Sequence, residues 1–343
     1  MRTLGTAAFI VAAMAAAPAL ANDAMSTLGA GGLVFVQTDD VKMLSEDLYV
    51  SPEHVRVKYE FRNDGEADAD VLVAFPMPDI TGDGDFMVAI PTEDPENIFG
   101  FETLVNGEPV DAELHQYVFA TNIDYTKYLT DLGLPLTPYG DATVKAINAL
   151  DEATKKELLH RALVIPMEFD QGQGMQIEYR PVWTLRSTYS WEAHFPVGET
   201  VTVEHKYKPS IGGTVAVTFL SEPYDGYDPA AVYKRKYCTD DSFIRSVEKT
   251  LPNPAERYGA PFTESWMSYI WSTGANWSGP IGTFHLTIDK VLPQNLVSFC
   301  WDGEVKKTGP TTFDMEAKDW WPPYGRELEV LILNRQNPEP TVG

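Results

Sequence analysis

The sequence predicts a mainly β protein with antiparallel β-sandwich regions and a small helical insert. Apolar and charged residues alternate with period two in several segments, which is typical of strands with one buried face. Turn residues separate these segments at the spacing expected of hairpins. Apolar residues at the spacing typical of helices occur mainly in residues 124–165, and once more in a short segment further along the chain. Because strands outnumber helices, we expect a sandwich and not a doubly wound parallel sheet.

Residues 1–21 have the pattern of a signal peptide. Arg2 precedes an apolar run, and Ala19-Leu20-Ala21 gives the small-x-small pattern that a signal peptidase accepts. We predict cleavage after Ala21. No later stretch approaches about 18 uninterrupted apolar residues, the length needed to span a bilayer. We therefore expect a periplasmic or secreted protein that does not insert into a membrane once the signal peptide is removed.

The N-terminal β region is expected over residues 22–123. Its clearest strand is 55–61, where valine and aromatic residues alternate with charged ones. Asn63-Asp64-Gly65 supplies turn chemistry, and residues 71–75 form the returning strand of a hairpin. Pro76 ends that strand, because proline cannot donate a hydrogen bond to a sheet.

The helical insert is expected over residues 124–165. Three aspartates, Asp124, Asp141 and Asp151, each precede apolar residues at helical spacing. An aspartate side chain at such a position can accept a hydrogen bond from the first turn of a helix. We predict three short helices across or beside the β regions.

The C-terminal β region is expected over residues 166–335, with one short helix capped by Asp240. Period-two alternation returns here, and His205 falls on the apolar side of its strand, where we expect a hydrogen-bonded core histidine. The length of the chain favours separate cores for the two β regions. The proline-rich tail, residues 336–343, is expected to fray.

The charge of the chain restricts its partners. The 343 residues include 26 Lys and Arg against 50 Asp and Glu, a formal net charge of −24. Such a surface repels phosphate backbones and anionic lipid headgroups, which disfavours nucleic-acid and membrane binding. An envelope protein, another cationic partner or a divalent metal ion remains compatible.

Several segments together resemble the secreted bacterial family catalogued as Domain of Unknown Function 4424. They are Leu28-Gly29-Ala30-Gly31-Gly32-Leu33, Met43-Leu44-Ser45-Glu46-Asp47-Leu48, Phe75-Pro76-Met77-Pro78, Ala275-Asn276-Trp277 and Ser298-Phe299-Cys300-Trp301-Asp302-Gly303. The resemblance covers essentially the whole mature chain and implies an exported bacterial protein with no assigned activity. The N-terminal hairpin, followed by Val105-Asn106-Gly107-Glu108, also resembles β-sandwich domains of the vault/inter-α-trypsin (VIT) type.

The two cysteines, Cys238 and Cys300, allow one intramolecular pairing, and export to an oxidising compartment favours a disulfide. Two buried thiols, or a catalytic or metal-bound thiol, are the alternatives. Neither cysteine has the Cys-x-x-Cys spacing of a redox enzyme.

Asp79, Asp83 and Asp85 form a candidate metal site. They lie in a glycine-containing loop, and calcium takes several oxygen ligands from flexible turns. The spacing does not match an EF-hand, and a solvated turn is the alternative. No cofactor other than calcium is indicated.

Five tryptophans form the candidate ligand-binding set, because clustered aromatic residues in an exported β protein can stack on sugar rings. They are Trp266, Trp271, Trp277, Trp320 and Trp321. Packing in the core is the alternative for each of them.

The sequence contains no Gly-x-Ser-x-Gly and no His-Glu-x-x-His motif, and no catalytic residue can be assigned. We therefore expect a non-enzymatic protein that acts by binding or in envelope assembly. A carbohydrate-binding module, a carboxylate-dependent envelope hydrolase and a calcium-stabilised scaffold stay open as alternatives.

Overall fold

The structure is a computed structural model that describes residues 24–29, 32–82, 87–170, 172, 174–251, 253 and 260–336. The expected signal peptide with its cleavage site lies outside the described residues. So do Asp83 and Asp85 of the candidate metal site, and so does the expected frayed tail apart from Gln336.

The described residues form twenty-two strands and five α-helices, numbered here in chain order. The strands are β1 (Ala24–Gly29), β2 (Gly32–Phe35), β3 (Val41–Val50), β4 (Val55–Asn63), β5 (Ala69–Pro76), β6 (Ile80–Thr81), β7 (Met87–Ala89), β8 (Glu102–Val105), β9 (Glu108–Val110), β10 (Glu113–Ala120), β11 (Ile123–Asp124), β12 (Val164–Asp170), β13 (Met175–Pro181), β14 (Thr184–Phe195), β15 (Thr200–Tyr207), β16 (Ile211–Thr214), β17 (Phe262–Tyr269), β18 (Ile281–Asp289), β19 (Leu296–Phe299), β20 (Lys306–Lys307), β21 (Thr312–Trp320) and β22 (Leu328–Arg335). The helices are α1 (Thr126–Asp131), α2 (Asp141–Asn148), α3 (Glu152–His160), α4 (Pro229–Tyr237) and α5 (Asp241–Glu248).

The strands form four sheets, which confirms the mainly β prediction. An eight-stranded sheet has the order β20-β21-β18-β3-β4-β15-β8-β9. A seven-stranded sheet has the order β11-β10-β14-β5-β1-β2, with β6 paired to β14, and a five-stranded sheet has the order β19-β22-β17-β16-β7. The strands β12 and β13 form a separate hairpin. Among the described strand pairs, β3 and β18 run parallel and the others run antiparallel.

One face of the eight-stranded sheet is covered by the two other large sheets. Phe61 on β4 packs edge-on against Phe195 on β14 of the seven-stranded sheet, with ring centroids 5.8 Å apart. Tyr59 on β4 reaches the five-stranded sheet, where its hydroxyl lies 3.0 Å from that of Tyr269. The alternation in β4 produces this arrangement, because every second residue points to the same side of the strand.

The two β regions share a core, contrary to the expectation from chain length. The larger apolar cluster contains Tyr59 and Phe75 from the N-terminal region together with Phe284 and Val330 from the C-terminal region. A smaller cluster lies beneath α4 and α5 and includes Tyr233. The covered face of one large sheet gives both regions a common surface to bury, and the smaller cluster, whose residues all come from the C-terminal region, adds to this shared core.

The helices begin near the predicted aspartates. Asp151 caps α3 by accepting from the backbone N–H groups of Ala153 and Thr154, and Asp240 caps α5 in the same way. Asp141 is the first residue of α2 and makes no capping bond. The helix α4 was not predicted, although Asp228 and Pro229 have the pattern of an N-cap followed by a first-turn proline.

None of the helices in the described part of the chain has the length and apolar composition needed to cross a bilayer.

Candidate ligand-binding surfaces

Three tryptophans surround a small concave site, called here the tryptophan pocket. Trp271 follows β17, Trp301 follows β19, and Trp320 ends β21, so the pocket opens where the eight-stranded and five-stranded sheets meet. The ring of Trp271 lies 5.3 Å from that of Trp320 and 6.4 Å from that of Trp301, measured between centroids. The pocket has a volume of about 200 Å³.

The aromatic walls of the pocket are fixed from behind. The buried ring of Phe284 stacks on Trp320 at a centroid distance of 4.1 Å and on Trp301 at 5.9 Å. Trp271 is held by its indole Nε1, which donates to the carbonyl oxygen of Arg326 over 2.7 Å. The walls are therefore held in place before any ligand arrives, which lowers the entropic cost of binding.

Charged groups lie at the rim of the pocket. The guanidinium of Arg326 donates to the carboxylate of Asp302 over 2.7 Å, and Glu316 also lines the site. Two buried nitrogens, Nε1 of Trp301 and Nε of Arg326, have no hydrogen-bond partner among the described residues. Apolar ring faces beside a few polar groups are the usual composition of a small-molecule site.

The five tryptophans of the predicted set do not form one cluster. Trp271 and Trp320 meet in the pocket, where Trp271 is 1% exposed and forms part of the buried floor. Trp277 does not line the pocket and packs against Phe61 in the core. Trp266 lies on β17, in a different cleft. Trp321 is 55% exposed and does not line the pocket, although it adjoins Trp320 in sequence.

Trp301 is a pocket residue that sequence reasoning missed. The alternation of Val297, Phe299 and Trp301 predicts one strand with all three on its inward face, but β19 ends at Phe299. The following Asp302-Gly303 was the available signal, because a turn at that point takes Trp301 out of the strand. Gly303 lies against the indole of Trp301, and a Cβ there would be 2.7 Å from Nε1.

Cys238 and Cys300 form the predicted disulfide. Cys238 directly follows α4 and has the left-handed backbone conformation, with φ 55°, and Cys300 directly follows β19. The bond therefore links the helices above the smaller apolar cluster to the five-stranded sheet.

The predicted calcium site stays a prediction. Of its three aspartates the structure describes Asp79, whose carboxylate accepts from the guanidinium of Arg186 over 3.2 Å. Within the described ranges, no group of three or more His, Cys, Asp or Glu side chains is placed to hold a metal ion.

Two glutamates share a second cleft, which lies between the seven-stranded and five-stranded sheets. Burial raises the pKa of both Glu327 and Glu329. The Glu327 carboxylate already accepts from the backbone N–H groups of Trp271 and Ser272 and from the Ser272 hydroxyl, and Glu329 pairs with Lys236 at 3.5 Å. These contacts hold the turn after β17 and the end of α4, so the two carboxylates have structural partners.

The sequence also matches a family model over most of its length. The family is described as "Domain of unknown function (DUF4424)", and the match covers residues 21–331. The chain belongs to this family.

Solved structures were also compared with the DUF4424 chain, and one of those that match is described here. The chain is similar to a solved structure from Legionella pneumophila described as a putative nutrient binding protein, with 15% sequence identity and a TM-score of 0.46. The likeness covers 92% of this chain and 70% of the Legionella chain. A search of curated proteins found no match. The likeness of the N-terminal part to VIT-type domains stays a prediction.

Proposed function

We propose that this protein is exported to the periplasm and acts there by binding a polar ring-shaped solute, such as a sugar, in the tryptophan pocket. The observation that carries the proposal is the meeting of Trp271, Trp301 and Trp320 around one opening with an Arg–Asp pair at its rim. A sugar ring has C–H faces that pack on indole rings, and its hydroxyls accept from guanidinium groups and donate to carboxylates.

Two features support export. Residues 1–21 have the signal-peptide pattern, and a disulfide persists in an oxidising compartment such as the periplasm.

A binding role fits the described residues better than the hydrolase alternative. A glycosidase needs two carboxyl groups facing the scissile bond. Glu327 and Glu329 share a cleft and have raised pKa values, but both are engaged by neighbouring groups of the fold. The tryptophan pocket is lined by two exposed carboxylates, Asp302 and Glu316. Each already has a cationic partner, since Asp302 pairs with Arg326 at 2.7 Å and Glu316 with Lys318 at 3.9 Å.

Intrinsic tryptophan fluorescence tests the proposal. The mature protein is titrated with a panel of monosaccharides and short glycans, and we expect a saturable change in emission with at least one of them. Trp320→Ala should abolish the response and Trp321→Ala should retain it, because these neighbours differ in whether they line the pocket. Thermal melts of both variants control for folding.

A second variant separates loss of binding from loss of structure. Asp302→Asn removes a charge at the rim, where the side chain is 81% exposed, so the fold should be retained. We expect affinity for the responding sugar to fall by about tenfold. An absence of response across the panel, or equal responses of Trp320→Ala and wild type, would contradict the proposal.

A further inference from the structure

The open face of the eight-stranded sheet carries a groove with a volume of about 510 Å³. Outward-pointing side chains of β18, β3, β4, β15 and β8 line it, and this face is opposite the one that the other sheets cover. The groove is distinct from the tryptophan pocket, and a ligand could bind in it whether or not the proposed function of that pocket is correct. Its size is in the range of small-molecule sites, roughly 300–1,000 Å³.

One row of side chains across the groove is internally paired. His285, Asp47, Lys58 and Glu204 lie side by side on β18, β3, β4 and β15. The Nδ1 atom of His285 is 3.0 Å from a carboxylate oxygen of Asp47, and the ammonium of Lys58 is 3.5 Å from a carboxylate oxygen of Glu204. Asp47, Lys58 and Glu204 alternate in sign along the row, so each of these three charges has an opposite charge beside it.

The neighbouring row has two cations directly opposite each other. Arg56 on β4 is the register partner of Lys206 on β15. Both side chains are exposed, and neither has an ion pair within 4.0 Å in the described part of the chain. The Arg56 guanidinium lies 4.5 Å from the centroid of the Tyr49 ring, and Glu102 is the register partner of Lys206 on the other side. Like charges directly opposite in a sheet are unfavourable unless a counter-charge lies between them.

Arg56 and Lys206 also affect the titration of a histidine at the edge of the groove. The pKa of His54, whose ring stacks on Tyr49, is lowered first by burial and next by the Arg56 charge. Lys206 acts in the same direction, whereas Glu53 and Asp289 act in the opposite one. The groove lining as a whole has three Lys or Arg and three Asp or Glu side chains, so the adjacent pair of cations is a feature of this one row.

We propose that Arg56 and Lys206 together bind the oxyanion group, a carboxylate or a phosphate, of a small organic solute in this groove. A guanidinium offers two parallel N–H donors to such a group, and an ammonium adds a point charge. The Tyr49 ring holds the guanidinium in place through a cation–π contact. The acidic surface repels polyanions such as nucleic acids and anionic membranes at long range, and this favours a small ligand held by direct contacts.

Isothermal titration calorimetry with succinate and with inorganic phosphate tests this site on the mature protein. The two titrations distinguish a carboxylate ligand from a phosphate ligand. We expect at least one anion to bind, and Arg56→Gln and Lys206→Gln each to weaken it by about tenfold or more, the usual value of a charge-assisted hydrogen bond. Both side chains are exposed, so both variants should fold.

Lys58→Gln is the matched control, since Lys58 lies in the same groove on the same strand but is paired with Glu204. It should change the affinity by less than about twofold, because it removes only a screened surface charge. Equal losses of affinity in all three variants would mean that the anion responds only to the net charge of the protein, and this would overturn the proposal. Failure of both anions to bind more tightly than about 10 mM would also overturn it. Anion binding that persists in Trp320→Ala would show that the groove is independent of the tryptophan pocket.

Discussion

On β4, Tyr59 and Phe61 point into the core between the sheets, whereas their neighbours Lys58 and Glu60 point to solvent. The same strand therefore builds two surfaces with different requirements. The covered face must fill a fixed volume, so its energetics depend on shape and packing. The open face is screened by water, so its charges contribute little to stability and are free to serve recognition.

The largest expected effect comes from emptying the covered face. Phe61 is fully buried and its ring lies 4.4 Å from that of Trp277. Phe61→Ala should lower the free energy of unfolding by about 3–5 kcal/mol, through lost burial and a residual cavity. Urea denaturation measures this change. On the same strand, Lys58→Ala should cost less than about 1 kcal/mol, and similar losses for the two variants would refute the contrast between the faces.

Sequence reasoning could predict this contrast but not the sites that depend on it. Alternation is local, so the strand at 55–61 and the buried position of His205, 3.2 Å from the Thr103 hydroxyl, followed from period two. That Arg56 lies opposite Lys206 depends on the register between strands about 150 residues apart in sequence, which no local pattern specifies. The tryptophan pocket could not be predicted for the same reason, because Trp271, Trp301 and Trp320 lie at the ends of different strands, which only the arrangement of the sheets brings together.

The disulfide allows covalent restraint to be compared with packing on the covered face. It joins residues 62 apart in sequence, for which the chain-entropy model gives about 4 kcal/mol, less any strain in the folded state. Replacing both Cys238 and Cys300 with Ala should therefore cost about 2–4 kcal/mol in urea denaturation.

Hydrogen exchange locates that loss. Amide protection should fall first in α4, which the bond attaches to the five-stranded sheet, and should persist in β4. A uniform fall in both elements would instead mean that the smaller cluster and the eight-stranded sheet unfold as one unit.

Glu264 is an acid on a buried strand face. Unlike the exposed acids of the open face, it should make the stability of the protein depend on pH. It accepts from the Tyr233 hydroxyl and the Thr218 backbone N–H, both over 2.6 Å, and burial raises its pKa above the usual value. Between the unfolded and folded pKa values the folded state holds more protons, so stability falls as pH rises through that window. Acidification from neutral pH towards the ordinary pKa of glutamate should therefore stabilise the protein.

Glu264→Gln isolates this contribution from the general loss of negative charge on acidification. The glutamine can still accept from Thr218 and can donate to the Tyr233 oxygen. In paired urea titrations, the stability of wild type relative to the variant should increase as the pH is lowered. A difference that does not change with pH would mean that Glu264 does not titrate in this range.

The smallest effect is expected on the open face, from the ion pair of Lys58 with Glu204. The two side chains are 52% and 42% exposed and their charged atoms are 3.5 Å apart. A double-mutant cycle with Lys58→Ala and Glu204→Ala should give a coupling energy of about 0.2–1 kcal/mol, because water screens the attraction and two long side chains must be ordered to form it. Raising the ionic strength should reduce this coupling further, whereas the cost of Phe61→Ala should not decrease with it. A coupling above about 2 kcal/mol would place the pair among desolvated charges, and the open face would then contribute to the stability of the fold as the covered face does.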